Sequence, residues 1–193
     1  MASPEIYLAR HGETEWSLNG RHTGTTDVPL TDNGRRHAEA LGGRLRGSEF
    51  AVVFASPMGR TLETCRLAGF GDSCVERPEL VEWNYGDYEG VTTEEIRKTV
   101  PGWTVWTHGA PAGETAADVG ARCDALIEEL LQMDGEVLLF AHGHILRVLG
   151  ARWIGLPPEL GGRLALSTGT LSILGWERDN RVLELWNDGS HLP

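Results

Sequence analysis

The stretch that decides the fold lies near the start of the chain and reads Ile6-Tyr7-Leu8-Ala9-Arg10-His11-Gly12-Glu13-Thr14. Its short apolar run ends abruptly in an arginine and a histidine, and a glycine and polar residues follow. Short apolar runs bounded by turn residues are typical of buried β-strands. The stretch therefore predicts a strand that delivers a cation and an imidazole to one edge of a sheet.

Two later stretches repeat this arrangement. Residues 51–55 form an apolar run that leads into Ser56-Pro57, with Arg60 close behind, and residues 137–141 lead into His142-Gly143-His144. Ligands of open α/β sheets bind at the carboxyl ends of the strands. Two arginines and two histidines at that edge would form a site for an anion, most simply a phosphate. These four residues are Arg10, His11, Arg60 and His142.

Apolar runs of strand type alternate with helical patterns along most of the chain. Thr31 and Thr115 are placed as N-caps of two amphipathic helices, and residues 171–186 read as a β-hairpin at the end. We find no repeat and no linker. The pattern predicts one α/β domain, residues 1–193, with helices on both faces of a mainly parallel sheet.

The charge of the chain restricts its partners. Among 193 residues, 17 Lys and Arg stand against 28 Asp and Glu, which gives a net charge of −11. Binding to nucleic acid or to an anionic membrane surface needs a basic face, so neither is expected. A phosphate-binding protein of this charge must confine its cations to one pocket.

The cysteines and the termini favour a cytoplasmic protein. Cys65, Cys74 and Cys123 are odd in number and lack the spacing of a metal site, so we expect reduced thiols. No basic-then-apolar leader precedes the first strand, and no run approaches the length of a membrane-spanning helix. Exposed strand edges and Trp-rich loops permit a homodimer without requiring one.

Four landmarks in order carry a resemblance to a known family. They are Arg10-His11-Gly12-Glu13-Thr14, Arg60 after Ser56-Pro57, Glu82, and His142-Gly143. From about Ile6 to Trp176, the chain resembles the histidine phosphatase superfamily, also called phosphoglycerate-mutase-like. The resemblance implies a three-layer α/β/α domain and a phosphatase that needs neither a metal nor a cofactor.

The resemblance also assigns roles to residues. His11 would attack phosphorus and form a phosphohistidine, while Arg10, Arg60 and His142 would neutralise the phosphate oxygens. Glu82 would protonate the leaving group and later activate water. For one ring nitrogen of His11 to attack, the other must donate a hydrogen bond, and a carbonyl in the turn from Gly12 to Thr14 is the expected acceptor.

Further residues are candidates for contacts with the substrate. Ser17 stands where many relatives have asparagine, so it would donate through its hydroxyl. Thr23 and Gly24 are expected to offer a hydroxyl and a backbone N–H, and Gly143 to lie against the phosphate. Other aromatic and histidine side chains are candidates for the cavity mouth or wall; these are His22, His108, Trp83, Trp103 and Trp106.

Within the family, the chain is most similar to two branches, the bacterial acid phosphatases of mutase-like fold and the sedoheptulose-bisphosphatase-like enzymes. Both imply a small phosphorylated metabolite, such as a sugar phosphate or bisphosphate. Three alternatives stay open: a phosphoglycerate-mutase-type phosphotransferase, a phosphoprotein phosphatase or binder, and a metal pair formed by His142 and His144. The mutase is disfavoured because only residues 91–112 span the interval where mutases carry an inserted helical segment.

Overall fold

Six strands form a single sheet in the computed structural model, which describes residues 4–192. In chain order they are β1 (Ile6–Arg10), β2 (Val52–Ala55), β3 (Cys74–Glu76), β4 (Val137–Ala141), β5 (Leu171–Glu177) and β6 (Asn180–Asp188). Their order across the sheet is β3-β2-β4-β1-β5-β6. The pairs β1–β4, β2–β4 and β2–β3 are parallel, whereas β5 pairs antiparallel with β1 and with β6. The mainly parallel sheet and the terminal hairpin are as predicted.

The helices connect these strands and cover the sheet. They are α1 (Glu15–Asn19), α2 (Asp32–Arg44), α3 (Gly59–Leu67), α4 (Thr93–Arg97), α5 (Val105–His108), α6 (Ala116–Leu130) and α7 (Gly143–Trp153). Short 3₁₀ helices lie at Pro78–Leu80, Gly86–Tyr88 and Pro158–Arg163. Thr31 caps α2 and Thr115 caps α6, as predicted. None of the helices within residues 4–192 has the length and apolarity needed to cross a membrane.

The sheet is buried on both faces, which makes the domain three-layered. Along β4, Leu138 and Phe140 pack in one hydrophobic cluster together with Leu41 of α2 and Cys65 of α3. The alternate residues of β4 pack in a second cluster with α6 and α7. Successive side chains of a strand point to opposite faces, so a strand covered on both sides must be apolar throughout. Residues 137–141 are apolar without a break because both faces of β4 are covered.

The sequence also predicts long loops over residues 12–30 and 100–113 and a helix start at Ser56-Pro57, and these three local predictions need correction. Residues 12–30 are not wholly loop, because Thr14 and Ser17 form a capping box that starts α1. Residues 100–113 likewise contain α5, capped by Thr104. Ser56 and Pro57 do not begin a helix; α3 starts at Gly59 and its N-cap, Met58, makes no side-chain capping bond.

The strand register brings the three predicted strand ends together. Arg10 of β1 pairs with Ala141 of β4, and the next N–H, that of His11, donates to the Ala141 carbonyl at 3.0 Å. The N–H of Ser56, just past β2, donates to the Phe140 carbonyl at 2.9 Å. The residues that follow β1, β2 and β4 therefore meet at one edge of the sheet.

The turn after β1 packs directly against the first turn of α2. A Cβ added to Gly34 would lie 2.1 Å from the Glu13 carbonyl oxygen, and one added to Gly12 would lie 2.3 Å from the Gly34 oxygen. Only glycine leaves room for backbones at this separation. The two glycines thus set the position of the turn that carries His11.

We predict that Gly34→Ala lowers the free energy of unfolding by about 1–3 kcal/mol, because the new methyl group overpacks a backbone contact. Gly43→Ala is the matched control in the same helix, since a Cβ there meets nothing within 4 Å. The control gains up to about 1 kcal/mol of helix propensity. Urea denaturation of both variants measures the difference, and equal effects would contradict the packing argument.

Candidate active site

The strand ends open onto a cavity of about 390 Å³. Among the predicted site residues, its wall contains Arg10, His11, Ser17, Thr23 and Glu82. The other predicted residues do not line it; these are Gly24, Arg60, His142 and Gly143. The cavity is of the size of a small-molecule site.

His11 has the geometry of a nucleophile. Its Nδ1 lies 2.7 Å from the carbonyl oxygen of Gly12, within the turn predicted to hold the acceptor. Because a carbonyl only accepts, Nδ1 carries the proton and Nε2 keeps a free lone pair. Burial and the neighbouring cations Arg10 and Arg60 hold the pKa of His11 well below its usual range. The ring is therefore neutral and able to attack.

Arg10 offers a buried donor. Its Nη1 donates to the carbonyl of Leu166, whereas its buried Nε has no hydrogen-bond partner within residues 4–192. Burial lowers the pKa of Arg10, although a guanidinium stays charged in proteins. Gly143 permits this placement, since a Cβ there would lie 3.2 Å from the guanidinium carbon. A desolvated N–H of this kind is suited to an anion.

Arg60 and His142 form a buried chain that ends at Ser56. The Nε of Arg60 donates to His142 Nδ1 at 3.1 Å, and His142 Nε2 lies 2.8 Å from the Ser56 hydroxyl. Since the arginine can only donate, Nδ1 is the acceptor, and Nε2 carries the proton toward Ser56. Burial and the Arg60 charge lower the pKa of His142 well below its usual range, which keeps the ring neutral.

The remaining donors of Arg60 hold the loop before α2. Nη1 donates to the Thr26 carbonyl at 2.8 Å, and Nη2 donates to the Gly24 carbonyl at 3.0 Å. The sequence predicted direct contacts of Arg60 and His142 with phosphate. Such contacts require these donors to exchange their present partners for phosphate oxygens, because both side chains here bind the protein itself.

Glu82 lies at the N-terminus of α7. Its Oε1 accepts the N–H groups of Trp83 and Ile145, each at 2.9 Å, and its Oε2 accepts the N–H of His144 at 2.9 Å. The start of a helix offers unpaired N–H groups and a positive dipole end, which suit a carboxylate. Oε2, with one such bond, is the oxygen with room for a proton.

Three predicted donors are already used within the protein. The hydroxyl of Ser17 donates to the Thr14 carbonyl at 2.8 Å, and that of Thr23 donates to the Arg21 carbonyl at 3.0 Å. The N–H of Gly24 donates to the Glu89 carboxylate at 3.0 Å. Each donor proton therefore has an acceptor within the protein. In this structure none of the three is free to make the contact with substrate that the sequence predicts for Ser17, Thr23 and Gly24.

An aromatic wall completes the cavity. Of the candidates from the sequence, His22, Trp103 and Trp106 line it, whereas Trp83 and His108 do not. Burial lowers the pKa of His22 to about 4, so its ring is neutral. The sequence reasoning missed several neighbours of the site, namely Ser56, Thr64, Tyr85 and Arg147. Arg147 follows His144 at i,i+3 spacing, so of these residues it is the one whose position beside the site could be read from the sequence.

The alternative of a metal site at His142 and His144 lacks a set of ligands among the described residues. Within residues 4–192, no group of three or more His, Cys, Asp or Glu side chains could hold a metal ion. Both ring nitrogens of His142 are engaged, and Nδ1 of His144 lies 2.7 Å from the Tyr85 hydroxyl. In this arrangement His142 has no ring nitrogen free for a metal ion.

Comparison with known proteins gives consistent relatives. An acid phosphatase of Mycobacterium tuberculosis is 46% identical over 183 residues, which cover 92% of this chain and 89% of the relative. A sedoheptulose 1,7-bisphosphatase of Saccharomyces cerevisiae is 34% identical, with 80% of this chain and 69% of the relative covered. A solved structure from an open reading frame of Mycobacterium tuberculosis has a TM-score of 0.89 at 45% identity, with 95% and 97% of the two chains covered.

The family model described as histidine phosphatase superfamily, branch 1, matches residues 6–189, nearly the whole chain and all the landmarks quoted above. The chain belongs to the histidine phosphatase superfamily.

Proposed function

We propose that this chain is a phosphomonoesterase that hydrolyses a small phosphorylated metabolite through a phosphohistidine on His11. The observation that carries the proposal is the His11 ring, whose Nδ1 is committed to the Gly12 carbonyl beside the unpartnered Nε of Arg10. A lone pair and a cationic donor at one cavity wall suit attack on a phosphoryl group. The relatives named as an acid phosphatase and a bisphosphatase support it.

In the first step, Nε2 of His11 attacks phosphorus and the ester P–O bond breaks. The leaving oxygen takes a proton from the carboxyl of Glu82, which becomes a carboxylate held by N–H groups of α7. Arg10 holds the phosphoryl oxygens. Arg60 lies close behind and contributes positive potential, and the neutral His142 ring, 5.2 Å from that of His11, holds the Arg60 guanidinium in place.

In the second step, water hydrolyses the phosphohistidine. The Glu82 carboxylate takes a proton from water, the resulting hydroxide oxygen attacks phosphorus, and the P–N bond to His11 breaks. Inorganic phosphate leaves, and both His11 and the protonated Glu82 are restored. The same carboxyl serves as acid and then as base.

The cellular setting and assembly are part of the proposal. We propose a single domain over residues 1–193 in the reducing cytoplasm. The family match over residues 6–189 and the three unbridged cysteines support this. A homodimer stays a prediction from the sequence.

A phosphoglycerate-mutase-type transferase is the second candidate, and the fate of 3-phosphoglycerate separates the two. A mutase would form 2-phosphoglycerate and need a bisphosphate primer, whereas a hydrolase releases phosphate. A phosphoprotein binder would release none. We predict phosphate release without a primer from wild-type protein, and isomerisation without release would contradict the hydrolase.

We predict that His11→Ala reduces phosphate release from nitrophenyl phosphate by about 10³-fold or more, because the nucleophile is lost. His108→Ala is the matched control, since this exposed histidine does not line the cavity. It should stay within about twofold of wild type, as expected for an exposed side chain outside the cavity wall. Circular dichroism checks that both variants fold. Substantial turnover by folded His11→Ala would remove the nucleophile assignment.

We predict that Glu82→Gln slows the hydrolysis of glycerol phosphate about 10²-fold more than that of nitrophenyl phosphate. An alkoxide needs a proton on leaving, whereas nitrophenolate does not, and general acid catalysis is worth about this much. The ratio of kcat/KM for the two esters cancels general damage to the site. An equal loss on both esters would exclude Glu82 as the acid.

We predict that the His11 ring stays neutral at pH 6, below the usual histidine pKa of about 6.5. Burial and the charges of Arg10 and Arg60 lower this pKa, so protonation sets in only at more acidic pH. Nitrogen NMR of the ring, assigned with His11→Ala, reports the charge directly. The urea-unfolded protein is the control, since its histidines titrate normally. A charged His11 at pH 6 in the folded protein would be inconsistent with this electrostatic account.

A further inference from the structure

Arg147 lines the cavity without a carboxylate partner. Its Nε donates to the Gly161 carbonyl at 3.1 Å and its Nη2 to the Gly162 carbonyl at 3.2 Å. Its Nη1 makes no hydrogen bond, and no Asp or Glu oxygen lies within 4 Å, among residues 4–192. By contrast, Arg152 on the same helix is paired with Asp124 at 2.7 Å. Arg147 thus brings to the cavity wall a positive charge that no carboxylate contacts directly, with Glu82 the nearby group that stabilises it at longer range.

His144 lies one turn earlier on the same face of α7 and also lines the cavity. The Tyr85 hydroxyl lies 2.7 Å from its Nδ1 and has no other partner within the described chain. Burial raises the pKa of Tyr85 well above its usual range, so its proton is retained. The buried hydroxyl finds no other acceptor for this proton in the described chain, so it donates to Nδ1, and the neutral ring then carries its own proton on Nε2. His144 Nε2–H is a second unused donor.

Trp106 holds both side chains in place. Its ring centroid lies 5.0 Å from that of His144, and the guanidinium carbon of Arg147 lies 4.6 Å above its ring. Cation–π stacking and ring packing of this kind orient the polar groups they contact. The two donors are therefore presented from one rigid wall of the cavity that also contains Arg10 and His11.

We propose that His144 and Arg147 form a subsite for a second anionic group, either a carboxylate or a second phosphate, on the phosphomonoester substrate. This subsite rests on the proposed function, in which Arg10 and His11 receive the phosphate to be cleaved. A partly buried guanidinium that makes no direct ion pair is stabilised by an anion more than by a hydroxyl group. The cavity volume of about 390 Å³ accommodates a small doubly charged ester.

Matched pairs of esters test the subsite. Glycerol 3-phosphate and 3-phosphoglycerate differ by a carboxylate, and fructose 6-phosphate and fructose 1,6-bisphosphate differ by a phosphate. The wild-type protein should favour the doubly charged member of at least one pair in kcat/KM. The pair in which this preference is found shows whether the second anionic group is a carboxylate or a phosphate. Equal kcat/KM within both pairs would overturn the subsite.

We expect that preference to fall about tenfold or more in each of two variants, Arg147→Met and His144→Phe. Both substitutions keep a side chain of similar size at the cavity wall. The first removes a charged donor, and the second removes a neutral one. Arg66→Met is the matched control, because Arg66 is exposed and lies outside the cavity. It should leave the preference unchanged. A uniform loss on both members of the pair would place the two residues outside substrate recognition.

Calorimetry separates failure of the subsite from failure of the proposed function. His11→Ala protein should bind the doubly charged ester at least tenfold more tightly than its singly charged partner, without turnover. The double variant His11→Ala/Arg147→Met should lose this difference. If the wild-type protein releases no phosphate but this binding difference is found, the subsite stands and the hydrolase fails. If phosphate is released and the two affinities are equal, the subsite fails.

Discussion

The site depends on the burial of positive charge beside neutral imidazoles. Arg10 and Arg60 lie next to His11 and His142, and both burial and the two guanidinium charges lower the pKa values of these histidines. A histidine that cannot accept a proton keeps a lone pair for phosphorus. The desolvated Arg10 would bind the phosphoryl group, and Arg60 behind it would add positive potential. In a chain of net charge −11, a single buried cluster concentrates this attraction for phosphate at one point.

Backbone contacts preserve this arrangement. The register of β1 against β4 fixes the level at which His11 and His142 follow their strands. The N–H of Gly12 donates to the Thr64 hydroxyl at 3.0 Å, which links the nucleophile turn to α3, the helix that carries Arg60. The close approach of Gly34 to Glu13 holds the other side of the turn. Catalytic groups on rigid, interlocked elements need little reorganisation during the reaction.

The strand ends and their cations were predictable from the sequence, because parallel strands bring their carboxyl ends to one edge and apolar runs mark such strands. The hydrogen-bond partners were not. Gly24 binds Glu89, 65 residues away, and Arg60 binds a loop that no periodicity describes. Short helices such as α1 also escaped prediction, since five residues show too little periodicity. The donor pair on α7 required the position of Tyr85, which only the folded chain supplies.

Trapping the covalent intermediate tests the central claim most directly. Wild-type protein is mixed briefly with a doubly charged ester in the presence of a chelator and quenched in base, because phosphohistidine is labile in acid. Mass spectrometry then locates the phosphoryl group. The account predicts one phosphoryl group on the peptide containing His11, and none in His11→Ala. Phosphate release with no phosphoryl group on that peptide, or with the group on another residue, would contradict it.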